Sequence, residues 1–378
     1  MKNILLVSHY SGTPGGPVDK FYEYLKKKNN THFIKHPLWP DTNLLSIISD
    51  GKKEMSFKIY PKIQYLLESI FVLYYWCKYF KKNGRIDLAI CFDSLSFIHT
   101  FFLKHFLHIK KIAFYNLDYS KKRFSNPVMN YIYNKINTFS FKKCDFFFYL
   151  SANFIDSIDP SRKFSYKTYP IKTTVSLKSI NTKVKKYANS LVYAGVLDYE
   201  SVNFDPLLKA LKKLKKDNVD FRFDIYGKEG HKNILRAKIT QLGLEKYIIL
   251  KGVADNSILT KNIFPHYLIG VSPYITKGDY TASDHMFNIT ELTAKLVEYI
   301  AAGLPIITTP MTDAFHSIEQ NKFGFLVSTT EDWYIAIKKL FMNQALHAMY
   351  RNNALKFAKN YDEKKILDPI FKKILKLH

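Results

Sequence analysis

The stretch Thr293-Ala-Lys-Leu-Val-Glu-Tyr-Ile-Ala-Ala-Gly-Leu-Pro-Ile-Ile-Thr-Thr309 reads as a helix followed by a buried strand. Leu296, Val297 and Ile300 give the helix an apolar side, and Ala301 and Ala302 allow close packing. Gly303 suits the position after the helix, where φ is positive, and Pro305 forbids continuation. Ile306 and Ile307 then begin a strand. Lys295 and Glu298, three residues apart, are neighbours on the helix surface. A cation, a carboxylate and the leading N–H groups of a helix together suit a nucleoside diphosphate: the cation and N–H groups take phosphates, and the carboxylate takes ribose hydroxyls. The same two residues would also make a surface ion pair beside a helix start.

Working outward, short apolar runs alternate with helical patterns. Strands are expected at Ile4–Val7, His32–His36, Leu88–Phe92, Ile112–Tyr115 and Phe146–Leu150, and a further one around Ser165–Tyr169. Helices are expected near 17–28, 61–82, 97–107 and 127–142. The rhythm pauses in the polar segment 161–186. It resumes with strands at Leu191–Ala194, Phe221–Tyr226, Tyr247–Leu250, Tyr267–Val271, Ile306–Thr308 and Phe325–Val327. The helices between them fall near 205–216, 231–242, 255–263, 292–302 and 331–342. This is the βαβ order of parallel sheets covered on both faces. Gly195, Gly227 and Gly252 follow strand ends, where ligands of open α/β sheets bind.

The chain has 378 residues, enough for two domains, and 47% of them are hydrophobic, which excludes a disordered protein. Lys and Arg number 57 against 32 Asp and Glu, a formal charge of +25 that favours an anionic partner. Solvated helix faces explain most Lys runs, such as Lys212-Lys-Leu-Lys-Lys216. Cys77, Cys91 and Cys144 lack metal-ligand spacing and read as buried thiols of a reducing compartment. His32 with His36, and His105 with His108, have no carboxylate placed with them and read as surface or packed residues. No metal is expected. The first residues do not form a secretory leader, and no apolar run reaches the length of a membrane span.

Two loops after strands carry further chemistry. Gly12-Thr-Pro-Gly-Gly-Pro17 offers backbone N–H groups to an anion or a close-lying sugar, or it is an ordinary tight turn. It is not the GxGxxG of a dinucleotide site. Asn116-Leu-Asp118-Tyr-Ser120, with Arg123 behind it, places a carboxylate where it could deprotonate a hydroxyl, or merely cap a turn.

Lys295-Leu-Val-Glu-Tyr-Ile-Ala-Ala-Gly-Leu-Pro-Ile-Ile-Thr-Thr309 resembles the nucleotide-sugar-binding signature of GT-B glycosyltransferases, a group of retaining enzymes and exopolysaccharide glucuronosyltransferase-like enzymes. Tyr193-Ala-Gly195, Ile225-Tyr-Gly227, Leu250-Lys-Gly252 and Val271-Ser-Pro273 follow the strand-end order of that group. The resemblance implies an α/β fold of two tandem Rossmann-like, doubly wound domains with a cleft between them. The implied acceptor-binding domain is 1–175 and the nucleotide-sugar-binding domain 188–350. The implied 351–378 segment is a helix that packs back on the first domain. Thr293, Ala294, Lys295, Glu298, Lys228, Gly15 and Gly16 would bind the donor. Asp118 would be the base, with Tyr119 and Arg123 on the acceptor side.

Two departures from the pattern leave stereochemistry open. The first of two glutamates spaced eight apart is replaced by Thr290, with Glu291 one place out of register, and Gly195-Val-Leu-Asp-Tyr-Glu200 lacks the usual cation pair. No cofactor is implied. The donor would be a UDP- or GDP-linked sugar, and the acceptor a bacterial surface glycan or lipid-linked hydroxyl. No nucleic acid is expected. The implied place is the cytoplasm, peripheral on an anionic membrane surface at the inner face of the plasma membrane. The aromatic, basic segments Tyr60–Lys82 and Phe101–Lys111 would suit that surface. A nucleotide-sugar epimerase of the same architecture, a basic polyanion-binding protein and an inactive scaffold are the other readings.

Overall fold

The computed structural model describes residues 1–10, 17–37, 45–49, 54–58, 84–117, 122–150, 152–198, 201–227, 232–275 and 291–376. The chain divides into two compact units, Met1–Lys172 with Leu367–His378, and Thr173–Ile366. Both are α/β.

Among the described residues the first unit holds eight strands: β1 (Asn3–Tyr10), β2 (Asn30–Pro37), β3 (Ser46–Ser49), β4 (Glu54–Phe57), β5 (Ile86–Cys91), β6 (Ile109–Asn116), β7 (Phe146–Tyr149) and β8 (Thr168–Pro170). Their order is β4-β3-β2-β1-β5-β6-β7-β8. The centre is parallel, with Leu5 opposite both His32 and Ala89. Ile4, Leu5, Leu6, Leu88, Ala89 and Ile90 are all buried, as strands covered on both faces require. The antiparallel pair β3 and β4 extends one edge, a feature absent from the expected strands. Ser-Ile-Ile-Ser and Glu-Met-Ser-Phe are four-residue runs, too short to show a period against their polar flanks. The helix expected at 61–82 lies outside the described residues.

The helix Pro127–Lys143 shows why this layer is well defined. Asn126 caps its start, accepting from the N–H groups of Val128 and Met129, and Pro127 occupies the first turn. At its end the buried Lys167 donates from Nζ to the carbonyls of Phe141, Lys142 and Cys144, which satisfies groups the helix leaves open. Cys91 and Cys144 are buried free thiols, and Cys77 lies outside the described residues.

The second unit holds β9 (Ser190–Ala194), β10 (Arg222–Tyr226), β11 (Ile248–Gly252), β12 (Ile269–Ser272), β13 (Ile306–Thr308) and β14 (Gly324–Leu326), in the order β11-β10-β9-β12-β13-β14. Among the described residues every pairing in this sheet is parallel. The chain builds outward from β9 to β11, then returns to the other side of β9 with β12. That reversal is a topological switch point, where open α/β sheets bind ligands. The helix Ala294–Ala301 ends as its residues dictate. Gly303 has φ 74°, its N–H donates to the Ile300 carbonyl, and the Leu304 N–H donates to the Tyr299 carbonyl.

The end of the chain departs from the expected 351–378 return. Residues up to Ile366 belong to the second unit, and only Leu367 onward joins the first. Ala354, Ala358 and Tyr361 are buried in the second unit's core, which holds the helix Gln344–Ala358 there. The helix Glu363–Lys376 then changes allegiance: the Val175 carbonyl accepts from the Glu363 N–H, while Phe371 meets Phe21, Tyr24 and Phe148 of the first unit.

Gly270 on β12 lets Tyr299 lie against the sheet; a Cβ there would come within 2.5 Å of the ring. We expect Gly270→Ala to cost about 1–3 kcal/mol by overpacking, read as a lowered midpoint in thermal unfolding. An unchanged midpoint would show that the helix can shift away from β12.

Candidate functional site

The site of the second unit forms where β9 and β12 end. Tyr299 ties the helix to both: its hydroxyl accepts from the Ala194 N–H at 2.8 Å and donates to the Val271 carbonyl at 3.4 Å. With Tyr299 fixed on the inner face, Lys295 one turn earlier is aimed back over the strand ends, as helical side chains lean toward the N-terminus. Its Nζ donates to Ser272 Oγ at 3.2 Å. It also stands 4.1 Å from the Tyr193 ring centroid and 4.9 Å from that of Tyr274. Two ring faces of negative quadrupole thus hold the ammonium. Burial raises both phenols, so the rings stay neutral.

Gly195 completes the enclosure. A Cβ there would meet Lys295 Nζ at 2.7 Å and Tyr193 Oη at 2.9 Å, so only glycine lets the ammonium lie against the strand end. Burial pulls Lys295 down to about 7, opposed by a smaller upward pull from Glu298. Glu298 itself is 6% exposed, so it is not half of a surface ion pair.

Thr293 is the residue before the helix, in extended geometry. Its side chain does not cap the first turn but shares a hydrogen bond of 2.8 Å with Tyr274 Oη. Tyr274 is held in turn by Thr309 Oγ1, which donates to its carbonyl at 2.6 Å. The leading N–H groups of a helix have no partner within it. Thr293, Ala294 and Lys295 therefore present N–H groups and an ammonium in one place, an arrangement that suits two linked phosphates.

Sequence reasoning foresaw Thr293, Ala294, Lys295 and Glu298 as one group, and the structure places them on one helix start. It did not find Tyr193, Ser272 and Tyr274; their only signal was their position at strand ends. Asp118, Tyr119, Lys228, Gly15 and Gly16 lie outside the described residues. Arg123 stacks over the Tyr133 ring at 5.6 Å. Glu291 accepts from Tyr361 Oη at 3.3 Å.

The first unit has its own switch point, between β1 and β5, and a cluster there also escaped the sequence reading. His9 Nδ1 lies 3.0 Å from Asp93 Oδ1, and the His9 N–H donates to Asp93 Oδ2 at 2.9 Å. Asp93 also caps the helix Ser94–Phe102 by accepting from the Ser96 N–H at 2.8 Å. Burial alone would raise this carboxyl. The charge of His9 and the bonds from His9 and Ser96 outweigh it and hold Asp93 well below the usual carboxylate range. Among the described residues, no group of three or more His, Cys, Asp or Glu is placed to hold a metal.

Residues 188–343 match the family described as Glycosyl transferases group 1. The matched segment lies within the second unit. Over 211 residues the chain is 28% identical to the GtfA subunit of a UDP-N-acetylglucosamine–peptide N-acetylglucosaminyltransferase of Streptococcus pneumoniae. That match covers 53% of this chain and 38% of the relative, so the chain spans well under two thirds of the relative's length. The solved pneumococcal O-GlcNAc transferase GtfA, in complex with UDP and GlcNAc, is similar with a TM-score of 0.58 at 21% identity, covering 88% of this chain and 63% of that one. HepE of Anabaena, in complex with UDP and glucose, is similar over 98% of both chains with a TM-score of 0.63 at 13% identity. These likenesses establish the fold: two Rossmann-like domains of the GT-B type.

The second unit should show its buried lysine directly. In protein with 13Cε-labelled lysine, we expect one resonance to titrate near pH 7 and to vanish in Lys295→Arg. Lys186, brought down to about 8 by burial, would give a second, separate transition. The absence of any resonance that titrates near pH 7 would refute the enclosed ammonium.

Proposed function

We propose that the protein transfers a glycosyl group from a nucleoside diphosphate sugar, UDP-linked by preference, to an acceptor hydroxyl. The observation that carries this reading is the Lys295 ammonium beside the helix start at Thr293, above the β9–β12 switch point. UDP in the complexes of the similar structures supports the choice of nucleotide.

In the proposed reaction the bond from the sugar C1 to the diphosphate oxygen breaks, and a bond from C1 to the acceptor oxygen forms. The diphosphate leaves with an added negative charge. Lys295 and the N–H groups of Thr293 and Ala294 stabilise it, a preorganised cation and dipoles standing where charge develops. Gly15, Gly16 and Lys228 are assigned to the same donor. Glu298 accepts from the ribose hydroxyls. Asp118 takes the acceptor proton if the transfer inverts; if it retains configuration, the donor phosphate takes it. Tyr119 and Arg123 stand on the acceptor side. The reaction needs no cofactor. The acceptor is a hydroxyl of a bacterial surface glycan or a lipid-linked precursor, reached by a protein peripheral on the inner membrane face. A peptide hydroxyl is the second reading, favoured by the acceptor named for the pneumococcal relative.

Three variants test this. Lys295→Ala should weaken UDP-sugar binding about tenfold or more, the loss of a charge-assisted hydrogen bond, with nucleoside affinity changed less. Glu298→Gln should weaken both. Asp118→Asn should abolish transfer while sparing donor affinity, because only the transition state uses its basicity. Unchanged affinity in folded Lys295 and Glu298 variants would remove the site. Conversion of the donor without any acceptor would replace transfer by epimerisation.

The pH dependence follows from the lowered Lys295. The free ammonium is charged below pH 7, and a bound diphosphate raises its pKa. Donor affinity should therefore be full below pH 7 and fall as pH rises through it, by at most about tenfold per unit. Calorimetry in buffers of different ionisation enthalpy should show proton uptake above pH 7. Lys295→Arg, always charged, should flatten the profile, and a flat wild-type profile would contradict the assignment.

A further inference from the structure

The helix Pro127–Lys143 turns one face inward and leaves an apolar stripe outside. Asn137, Ser140 and Phe141 are buried. On the opposite side Val128, Tyr131 and Ile132 are 62%, 63% and 45% exposed. With Lys135 they occupy positions i, i+3, i+4 and i+7, one line along the helix surface. Met129 is exposed beside them. The neighbouring helix Ser94–Phe102 belongs to the same layer, joined through the Phe101–Phe139 ring contact at 5.5 Å. It adds exposed Phe102, and the turn after it adds Phe106. An apolar stripe of this kind on a soluble surface marks a contact with something else.

Charge decides what that partner is. From Tyr119 to Cys144 the chain has no acidic residue, but it carries Lys121, Lys122, Arg123, Lys135, Lys142 and Lys143. Lys135 lies over the Tyr131 ring at 5.3 Å, so the cation sits among the apolar groups rather than away from them. Cations interleaved with an exposed apolar stripe fit a surface that is negative outside and apolar beneath, the interface of an anionic bilayer. The ends of the helix are fixed by Asn126 and Lys167, so the stripe is presented preformed and little ordering entropy is lost on docking.

We infer that the outer face of the helix Pro127–Lys143 docks the protein on anionic phospholipid, with Val128, Tyr131 and Ile132 entering the interface and Lys135 at the headgroups. This goes beyond the expected basic segments by adding the helix Pro127–Lys143: Tyr60–Lys82 is outside the described residues, and in Phe101–Lys111 Phe102 and Phe106 are exposed while Leu107 is core. It deepens the proposed function by placing the membrane-facing element directly after the loop assigned to the acceptor. The binding itself is read without donor or acceptor, so its failure and the failure of the transfer reading are distinguishable.

The test is sedimentation of the full chain with phosphatidylcholine vesicles, with and without phosphatidylglycerol. Binding is expected only with the anionic lipid, and it should weaken with salt. Tyr131→Ser with Ile132→Ser should reduce the partition coefficient about tenfold or more, since two apolar side chains no longer leave water. Lys135→Gln should reduce it about fivefold. UDP-sugar affinity and the thermal midpoint should not change in either variant, because these side chains are exposed. Equal partition of wild type and the serine variant would overturn the inference, since diffuse charge would then suffice. A dimer in light scattering that the serine substitutions dissolve would overturn it too, by assigning the stripe to a second copy of the chain.

Discussion

The second unit depends on the packing of Tyr299 against Gly270. A bare glycine on β12 admits an aromatic ring at contact distance, and the ring's hydroxyl then reaches the ends of two neighbouring strands. This one side chain fixes the depth and rotation of the helix Ala294–Ala301. Residues on the helix inherit their places from it: Lys295 goes over the strand ends, and Glu298 goes inward. A bulkier residue at 270 would lift the helix and move the ammonium with it.

A lysine so enclosed would ordinarily lose its proton or its position. Here the enclosure itself compensates for part of the lost water. The faces of Tyr193 and Tyr274 and the hydroxyl of Ser272 replace some hydration, and Gly195 leaves space for the ammonium. The remaining deficit is what brings the lysine down towards neutrality. Under the proposed function, a bound diphosphate would offset part of that desolvation cost.

The first unit solves a related problem differently. At its switch point the carboxylate of Asp93 is already occupied by His9, Ser96 and a helix start. That makes the cluster a rigid junction between β1, β5 and the helix Ser94–Phe102. Positive charge in this unit is spread over exposed lysines, and on the helix Pro127–Lys143 it stands among exposed apolar side chains. The two units thus place basic residues in two ways, one cation enclosed at strand ends and others spread over an exposed surface.

Much of the fold was legible because it is written in local chemistry. Gly303 stops a helix and adopts positive φ wherever that helix packs, and Ile306–Thr308 is a strand because a buried parallel strand needs a continuous apolar run. Lys295 and Glu298 share a helix face by spacing alone. The edge strands β3 and β4 were not legible, since four residues with polar neighbours carry no period; they pair only because β2 offers an open edge. Nor was the return at Leu367, because the helix Glu363–Lys376 is amphipathic whichever unit it joins, and the burial of Tyr361 decides where the crossing begins. By itself the sequence determined two βα series, their doubly wound order and a lysine and glutamate at one helix start. Only the tertiary structure brought Tyr193, Gly195, Ser272 and Tyr274 around that lysine, because they come from the ends of strands separated by tens of residues, and sheet pairing, not local propensity, sets which strand ends meet.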